Sequence, residues 1–292
     1  MRENRIFALG FFDGVHLGHQ ALLRACVELA KERDAKTAAI TFDQHPQSLY
    51  TCQTPPLLGT LQDRFHLLTH YGMEHIYAFP VTEEVMSTNW RAFLDQLMDY
   101  GATGFVCGHD FRFGHKGEGN AHTLQDYCAQ KQLPCIIVPE QIIDGKRISS
   151  SHIRSLMEAG EPETAAKFLG HPHILSGEVV SGRQIGRTIG VPTANILIPD
   201  GVVVPTLGVY ATECLVDGVR YKAVTNIGSR PTVEGHQVRA ESWLLDFEGD
   251  LYGKHMTVCF HKFLRPEQKF AGLEELKQQI QLDAEAAKTL LR

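Results

Sequence analysis

The sequence lacks several features that would place it in common protein classes. None of its seven cysteines lies three residues from another, so there is no Cys-x-x-Cys pair to hold zinc or act as a redox couple. No apolar stretch approaches the roughly 20 residues of a membrane-spanning helix. The formal net charge is -6, whereas nucleic-acid-binding proteins usually carry a basic face. These absences disfavour a zinc ribbon, a membrane protein and a nucleic-acid-binding protein.

Length and composition fit a globular protein with two domains. The chain has 292 residues, of which 43% are hydrophobic and 21% charged, and this length commonly forms two domains of ordinary size. Its beginning contains Arg2, Glu3 and Arg5 and only a short apolar run, unlike a signal peptide. We therefore expect a cytoplasmic protein with reduced cysteines, without nucleic-acid or membrane partners, that is a monomer or a weak homo-oligomer.

Short apolar runs alternate with amphipathic stretches in the first half of the chain. This alternation predicts a parallel sheet with helices on both faces, in which ligands bind beyond the carboxyl ends of the strands. The expected strands are Ile6–Leu9, Thr37–Phe42, Ile76–Phe79, Gly104–Cys107 and Cys135–Val138, and the expected helices are Leu17–Arg33, Leu61–His70, Trp90–Tyr100 and Leu124–Lys131.

The pattern changes after about Gly170, where strands follow one another without helices. This predicts an antiparallel barrel, closed or nearly closed, followed by a helix over Pro266–Leu291. The expected strands are Leu175–Ser181, Ala194–Ile198, Val209–Val216, Tyr221–Ile227, Val238–Phe247 and His255–Lys262. Residues 150–170 are expected to form a helical link. We place the domain boundary between residues 171 and 172, so the expected domains are 1–171 and 172–292.

A phosphate-binding turn is predicted at residues 10–19, Gly-Phe-Phe-Asp-Gly-Val-His-Leu-Gly-His. A strand ends at Gly10 and a helix begins near Val15, so the helix amino terminus offers free N–H groups and a positive dipole to phosphate. His16 and His19 share one face of the first helical turn. Two imidazoles there could stabilise charge on a phosphate. The alternatives are two structural histidines or a metal pair, for which no third ligand is evident.

The motif at residues 10–19 resembles the signature of nucleotidylyltransferases in their bacterial FAD synthetase branch. Three further segments match that branch: Thr41–Pro46, Gly108–Gly114 and Arg147–Arg154. The resemblance implies a Rossmann-like domain that adenylates FMN with ATP. It assigns transition-state stabilisation to His16 and His19. It assigns nucleotide binding to Gly10, Phe12, Asp13, Gly18, Asp110, Arg147, Ser150, Ser151 and Arg154, and flavin binding to Phe111 and Phe113, which could equally be core residues.

A glycine-rich stretch in the second half ends in Pro192-Thr193-Ala194-Asn195. It lacks the Gly-Lys-Ser/Thr ending of a Walker loop and the spacing of a dinucleotide fingerprint. Thr193 and Asn195 are two residues apart, so on an extended segment they project to one side. A hydroxyl and an amide oxygen suit Mg²⁺ bound to ATP phosphates. In isolation, the tetrapeptide would indicate only a turn before a strand.

The second half as a whole resembles the riboflavin kinase module, whose hallmark is Pro-Thr-Ala-Asn. Further matching segments are Gly208–Tyr210, Asn226–Thr232, Glu241–Phe247, Asp250–Gly253 and Phe263–Arg265. One departure is Val191, where relatives usually have Phe. The resemblance implies Mg²⁺ binding by Thr193 and Asn195, and proton abstraction by Glu241. It implies nucleotide binding by Gly182, Arg183, Gly186 and Arg187, and flavin binding by Asn226 and Arg265.

A second carboxylate competes with Glu241 for the role of base. Asp246 lies five residues further on, and odd spacing puts it on the opposite face of a regular strand. Only one of the two should then face the site.

The two resemblances together predict a bifunctional enzyme that uses ATP and Mg²⁺. It would convert riboflavin to FMN in one domain and FMN to FAD in the other, with these small molecules as its partners. The alternatives are a chain with one live activity and a flavin-sensing regulator that has kept the fold.

Overall fold

The computed structural model of the protein describes residues 3–51, 54–182, 190–232 and 235–291. The chain folds into two compact units: Met1–Pro55 with Arg64–Ser149, and Pro56–Asp63 with Ser150–Arg292. The domain boundary after residue 171 stays a prediction. Within the described part of the chain, no helix is both long enough and apolar enough to cross a membrane.

The first unit is built on a five-stranded parallel sheet. The strands of this sheet are β1 Arg5–Leu9, β2 Lys36–Phe42, β3 His75–Phe79, β4 Ala102–Gly108 and β7 Cys135–Val138. The short strands β5 Arg112–Phe113 and β6 Gly119–Asn120 form one separate pair, and β8 Ile142–Ile143 and β9 Lys146–Arg147 form another. The main sheet has the order β3-β2-β1-β4-β7, and all of its pairs are parallel. The predicted Rossmann-like sheet is confirmed.

Helices cover this sheet because apolar residues recur at helical spacing. The helices are α1 Leu17–Glu32, α2 Leu61–His70, α3 Glu83–Met86, α4 Trp90–Asp99 and α5 Ala121–Lys131. Leu22, Leu23, Cys26 and Leu29 form the buried stripe of α1. The middle strand β1 is almost wholly buried, as expected of a strand covered on both faces.

The second unit is a six-stranded antiparallel sheet curled into a nearly closed barrel. Its elements are α6 Ser150–Glu158, α7 Pro162–Leu169, β10 His173–Glu178, β11 Ala194–Leu197, β12 Gly208–Val216, β13 Val219–Thr232, β14 Gly235–Leu244, β15 His255–Arg265 and α8 Leu273–Leu290. The order is β10-β15-β12-β13-β14-β11. A backbone bridge joins Val180, two residues after the end of β10, to Asn195 of β11. The predicted barrel is confirmed.

The two faces of the barrel sheet carry different residues. On one face, Val209 and Val224 pack with Ala284 and Ala287 of α8. The other face carries a buried row of hydroxyls, in which Thr225 lies 2.8 Å from Ser242 and 2.7 Å from Thr212. Because side chains alternate along a strand, the neighbours of Thr225 and Ser242 in sequence lie on the face covered by α8.

Several predicted boundaries in this unit differ from the structure, and two of the errors affect the interpretation of the site. The last helix begins at Leu273 and not at Pro266, because residues 266–272 connect β15 to the helix and Gly272 is its extended N-cap. Strand β14 ends at Leu244, before the predicted end at Phe247, because Asp246 turns the chain with a φ of 60°. The alternation argument for Asp246 therefore fails, since this residue lies outside the strand.

Candidate active sites

The first candidate site is the turn between β1 and α1. Phe12 adopts a left-handed φ of 59°, and His16 is the N-cap of α1, where its Nδ1 accepts the backbone N–H of His19 at 3.3 Å. The two imidazole rings stack with centroids 3.7 Å apart and planes 10° apart. A Cβ on Gly18 would lie 3.2 Å from the His16 ring. The turn thus brings both predicted histidines together, and a side chain at position 18 would press on the His16 ring.

His19 is held in its neutral form. Burial lowers the pKa of His19 well below its usual value, and the nearby His16 and Arg64 lower it further. Its Nδ1 is buried without a hydrogen-bond partner among the described residues. Two stacked imidazoles cannot both be charged at this distance without strong repulsion. An uncharged imidazole here can still donate one N–H to an oxygen.

A cavity of about 420 Å³ lies beside Gly10 in the first unit. Phe111 and Phe113 line it, with ring centroids 5.4 Å apart and nearly parallel planes. Phe113 also belongs to the hydrophobic core, and Phe111 packs against that core. The core interpretation therefore holds for this aromatic pair, and flavin binding by Phe111 and Phe113 stays a prediction.

The remaining residues predicted for this site fall into two groups. Asp110 and Arg147 form an ion pair in the first unit, and Arg147 Nε also lies 3.1 Å from Glu140. Ser150, Ser151 and Arg154 belong to α6 and cluster with the second unit, where Arg154 Nη2 donates to Ser151 Oγ at 3.0 Å. Their association with the histidine turn stays a prediction.

The second candidate site is a cavity of about 340 Å³ on the face of the barrel covered by α8. Glu241, Asn226, Thr193 and Arg265 all line it. Glu241 pairs with Asn195 on one side and with Asn226 on the other in the strand register. Asp246 is exposed and does not line this cavity. Four of the residues predicted for riboflavin kinase chemistry thus meet at one place.

Thr193 also lines a second cavity of about 320 Å³ in the same unit. Its wall includes Val179, Pro192 and the turn from Phe247 to Tyr252. Thr193 is therefore a boundary between two spaces, one containing Glu241 and one without it.

Asn195 lines neither cavity, but its Nδ2 donates to the Thr193 carbonyl at 3.4 Å. Its side chain is 3% exposed, and Oδ1 is buried without a hydrogen-bond partner among the described residues. A Cβ on Gly182 would lie 2.8 Å from Asn195 Nδ2, so the glycine permits close approach of the chain. Arg183, Gly186 and Arg187, which we predicted to bind nucleotide, lie outside the described residues.

Arg265 is fixed by the last helix. Its guanidinium donates to the Asp283 carboxylate through Nε at 3.0 Å and through Nη2 at 2.8 Å. Gln279 Nε2 donates to the same carboxylate at 3.0 Å. Asn226 Nδ2 donates to Glu267 Oε1 at 3.2 Å. Both residues predicted to bind flavin therefore have polar partners in the segment after β15 or in α8.

Sequence reasoning missed several residues of these sites. Asp283 and Glu267 fall within the helix predicted for the end of the chain, so neither was connected with Arg265 or Asn226. Trp243 also lines the cavity; its position two residues after Glu241 on one strand was the available signal. Arg64 was missed too, although an arginine beside the largely apolar run Phe65–Leu68 of α2 is unusual.

Comparison with known proteins gives matches over both units. The family model described as FAD synthetase matches residues 1–152, and that described as riboflavin kinase matches residues 169–291. A bifunctional riboflavin kinase/FMN adenylyltransferase of Listeria monocytogenes is 36% identical over 96% of this chain and 90% of its own length. The protein of the same description from Escherichia coli K12 is 36% identical over 97% of this chain and 91% of its own length.

A solved structure shares the fold. A Streptococcus pneumoniae protein described as a macrolide-efflux protein matches with a TM-score of 0.87 and 29% identity, over 99% of this chain and 95% of that one. The sequence matches decide the family, because they span nearly the full chain and agree with both family models. The chain belongs to the bifunctional riboflavin kinase/FMN adenylyltransferases.

Proposed function

We propose that the two reactions are divided between the two candidate sites. The barrel unit phosphorylates riboflavin to FMN at the cavity of Glu241, and the parallel-sheet unit adenylates FMN to FAD at the His16–His19 turn. The observation that carries the proposal is the register of the barrel, which puts Asn195, Glu241 and Asn226 in one row across three strands.

In the kinase reaction, Glu241 is the base. A carboxylate on a rigid strand can orient the terminal ribityl hydroxyl and accept its proton as the oxygen attacks the γ-phosphate of ATP. The acceptor must then occupy the cavity that contains Glu241, where Trp243 and Phe270 supply aromatic surface. ATP would occupy the cavity on the other side of Thr193, so that the transferred phosphate passes Thr193.

Mg²⁺ fits the donors at this boundary. The Thr193 hydroxyl and Asn195 Oδ1 are hard oxygen ligands, and the second is buried without a hydrogen-bond partner among the described residues. When bound, the ion would neutralise charge on the ATP phosphates. Thr193 and Asn195 would hold it from the barrel, while Glu241 acts on the flavin hydroxyl.

In the adenylylation reaction, the protein supplies no nucleophile. A phosphate oxygen of FMN attacks the α-phosphate of ATP and pyrophosphate leaves. His16 and His19 would donate hydrogen bonds to phosphate oxygens as charge develops there, at the amino terminus of α1. The cavity lined by Phe111 and Phe113 would hold the flavin ring, since stacked aromatic side chains favour flat ligands.

The state of the cysteines supports a cytoplasmic location. Five of the six described cysteines are buried and all six are free thiols, a state that persists in a reducing cytoplasm. We infer a cytoplasmic enzyme that is a monomer or a weak homo-oligomer, to be tested by sedimentation at several concentrations.

The experiment for the whole proposal is a time course with riboflavin, ATP and Mg²⁺, followed by chromatography of the flavins. FMN should appear first and FAD should follow, and omission of Mg²⁺ should stop both products. Formation of FMN without FAD would show that only the riboflavin kinase reaction takes place. Tight binding of flavin without any product would indicate the sensing protein instead.

A further inference from the structure

A buried arginine lies beside the histidine turn of the first unit. Arg64 is 2% exposed, and its guanidinium lies 4.3 Å from the centroid of the Phe11 ring. Its Nη1 donates to Thr41 Oγ1 at 2.9 Å and to the Phe42 carbonyl at 2.6 Å. Arg64 therefore reaches the carboxyl end of β2, at the edge of the sheet where α/β proteins bind ligands.

Arg64 is connected to the turn by hydrogen bonds. Thr41 Oγ1, which accepts from Arg64, donates in turn to the Phe11 carbonyl at 2.7 Å. The next residue, Phe12, has a left-handed φ of 59°, which is unfavourable in a residue other than glycine. Such a conformation persists only where surrounding contacts determine it. The connection from Arg64 through Thr41 to Phe11 is one such set of contacts.

Burial of the charged Arg64 guanidinium is energetically unfavourable. Burial lowers the pKa of the guanidinium, while the nearby carboxylates of Asp13 and Asp43 oppose that change. Its Nη2 is buried without a hydrogen-bond partner among the described residues. A buried donor left unsatisfied destabilises the folded chain. That the fold keeps this arginine points to a role for it beside the turn.

The charge of Arg64 also acts on His19, although it is not the main influence there. Burial lowers the pKa of His19 most, His16, which stacks on it, lowers it further, and Arg64 adds to both effects. Asp13 and Asp43 bear on Arg64. Phe12 contributes an uncharged edge-on contact, with ring centroids 5.3 Å apart.

We propose that Arg64 is a positioning residue for FMN adenylylation, which fixes the Phe11–Asp13 turn through its hydrogen bond to Thr41 and its contact with the Phe11 ring. The proposal rests on the proposed role of His19 in that reaction. A fixed turn keeps His19 in one position at the start of α1, where its N–H would donate to a phosphate oxygen.

The test compares Arg64→Met with Arg64→Lys in the full chain. The readout is kcat and KM for FMN adenylylation, measured separately. Arg64→Met removes the hydrogen bonds to Thr41 and to the Phe42 carbonyl, so the turn is no longer fixed and kcat should fall by about 100-fold, as small displacements of catalytic groups do. Arg64→Lys keeps a donor and should recover part of this loss. Thr41→Val breaks the same connection, so the double variant Arg64→Met/Thr41→Val should lose little more than Arg64→Met alone.

Unfolding followed by Trp90 fluorescence in a Trp243→Phe background reports that the first unit of each variant is folded, because riboflavin phosphorylation is assigned to the other unit. If Arg64→Met fails to fold, Arg64→Gln replaces it, because glutamine is neutral and can still donate to the Phe42 carbonyl. An unchanged kcat in the folded variant, or a loss in the double variant that equals the product of the two single losses, would overturn the proposal. If His19→Ala still makes FAD normally, the proposed function of the turn has failed instead.

Discussion

Asn195 lies directly opposite Glu241 in the antiparallel pair of β11 and β14. The amide proposed to hold Mg²⁺ and the carboxylate proposed to accept the proton are therefore separated by one strand spacing, about 5 Å between backbones. Asn226 continues the same row on β13. A metal ligand and a base in one row can act on the two ends of a single phosphoryl transfer.

Glu241→Gln should abolish riboflavin phosphorylation while FMN supplied from outside still becomes FAD. Glutamine keeps the shape and an acceptor oxygen but cannot take up the proton. Loss of a general base costs about 10²–10⁴-fold in rate, and the lower end is expected because phosphoryl transfer depends heavily on positioning. Rates of FMN and FAD formation, measured separately by chromatography, check this.

Asp246→Asn is the matched control for Glu241→Gln. Asp246 is exposed in the turn after β14 and should leave kinase activity within a factor of about two, as surface substitutions commonly do. Loss of kinase activity in Asp246→Asn together with its survival in Glu241→Gln would assign the base to Asp246.

Thr193 offers a conservative test of the metal site. Thr193→Val keeps the side-chain shape but removes the hydroxyl, whereas Thr193→Ser keeps the hydroxyl. The Mg²⁺ concentration for half-maximal kinase rate should rise by about 10–100-fold in Thr193→Val and little in Thr193→Ser. Equal Mg²⁺ requirements in the two variants would show that the hydroxyl does not hold the ion.

The sequence predicted the parts of these sites that depend on local pattern. Strand and helix periodicity indicated both folds, and the spacing of His16 and His19 placed them on one helical turn. It could not connect residues joined only by the tertiary fold. Arg64 donates to Thr41, which lies 23 positions earlier in the chain. Arg265 donates to Asp283, which lies 18 positions later. Such pairs have no fixed spacing, so no periodicity reveals them.

The failure at Asp246 has a local physical cause. A strand pattern continues through Phe247 in the sequence, but a left-handed φ at Asp246 ends the strand earlier. Aspartate tolerates this conformation better than most residues. Hydrophobic alternation alone therefore could not locate the end of β14.

His19→Ala should lower FAD formation by about 10²–10³-fold, as removal of one charge-stabilising donor does, and should leave FMN formation unchanged. The reason is that His19 lies at the turn of the parallel-sheet unit, whereas Glu241 and its cavity lie in the barrel unit. His66→Ala, an exposed change on α2, is the control. Equal loss of both activities in His19→Ala would show coupled units or a misfolded chain.

Fragments test the predicted domain boundary. A fragment of residues 172–292 should fold and convert riboflavin to FMN, and a fragment of residues 150–292 should do so with greater stability. The longer fragment retains α7, whose Phe168 and Leu169 are buried, and burial of each such side chain stabilises by about 1.5–3 kcal/mol. Urea unfolding and kinase assays compare the two. A folded but inactive 172–292 fragment would show that α6 and α7 complete the site.

A buried histidine should make the stability of the barrel unit depend on pH. His173 Nε2 lies 2.7 Å from the Leu58 carbonyl, and Nδ1 is buried without a partner among the described residues. Burial lowers the pKa of His173 to about 4, compared with about 6.5 in an unfolded chain. Between these values the unfolded chain binds the proton and the folded chain does not. The free energy of unfolding should therefore fall by about 3 kcal/mol as pH decreases from about 6.5 to 4. Above about pH 6.5, His173 should not change the free energy of unfolding with pH.

The pH effect of His173 can be isolated with tryptophan fluorescence. The chain has two tryptophans, Trp90 in the first unit and Trp243 in the barrel, so a Trp90→Phe background leaves Trp243 as the reporter for the barrel. His173→Gln can still donate to the Leu58 carbonyl but does not titrate. Other groups also titrate below pH 6, so the test is the difference between the two chains. The parent should lose about 2 kcal/mol more than His173→Gln between pH 7 and pH 5, because most of the window lies in that range. Equal losses in the two chains would show that His173 is not the group whose protonation destabilises the barrel.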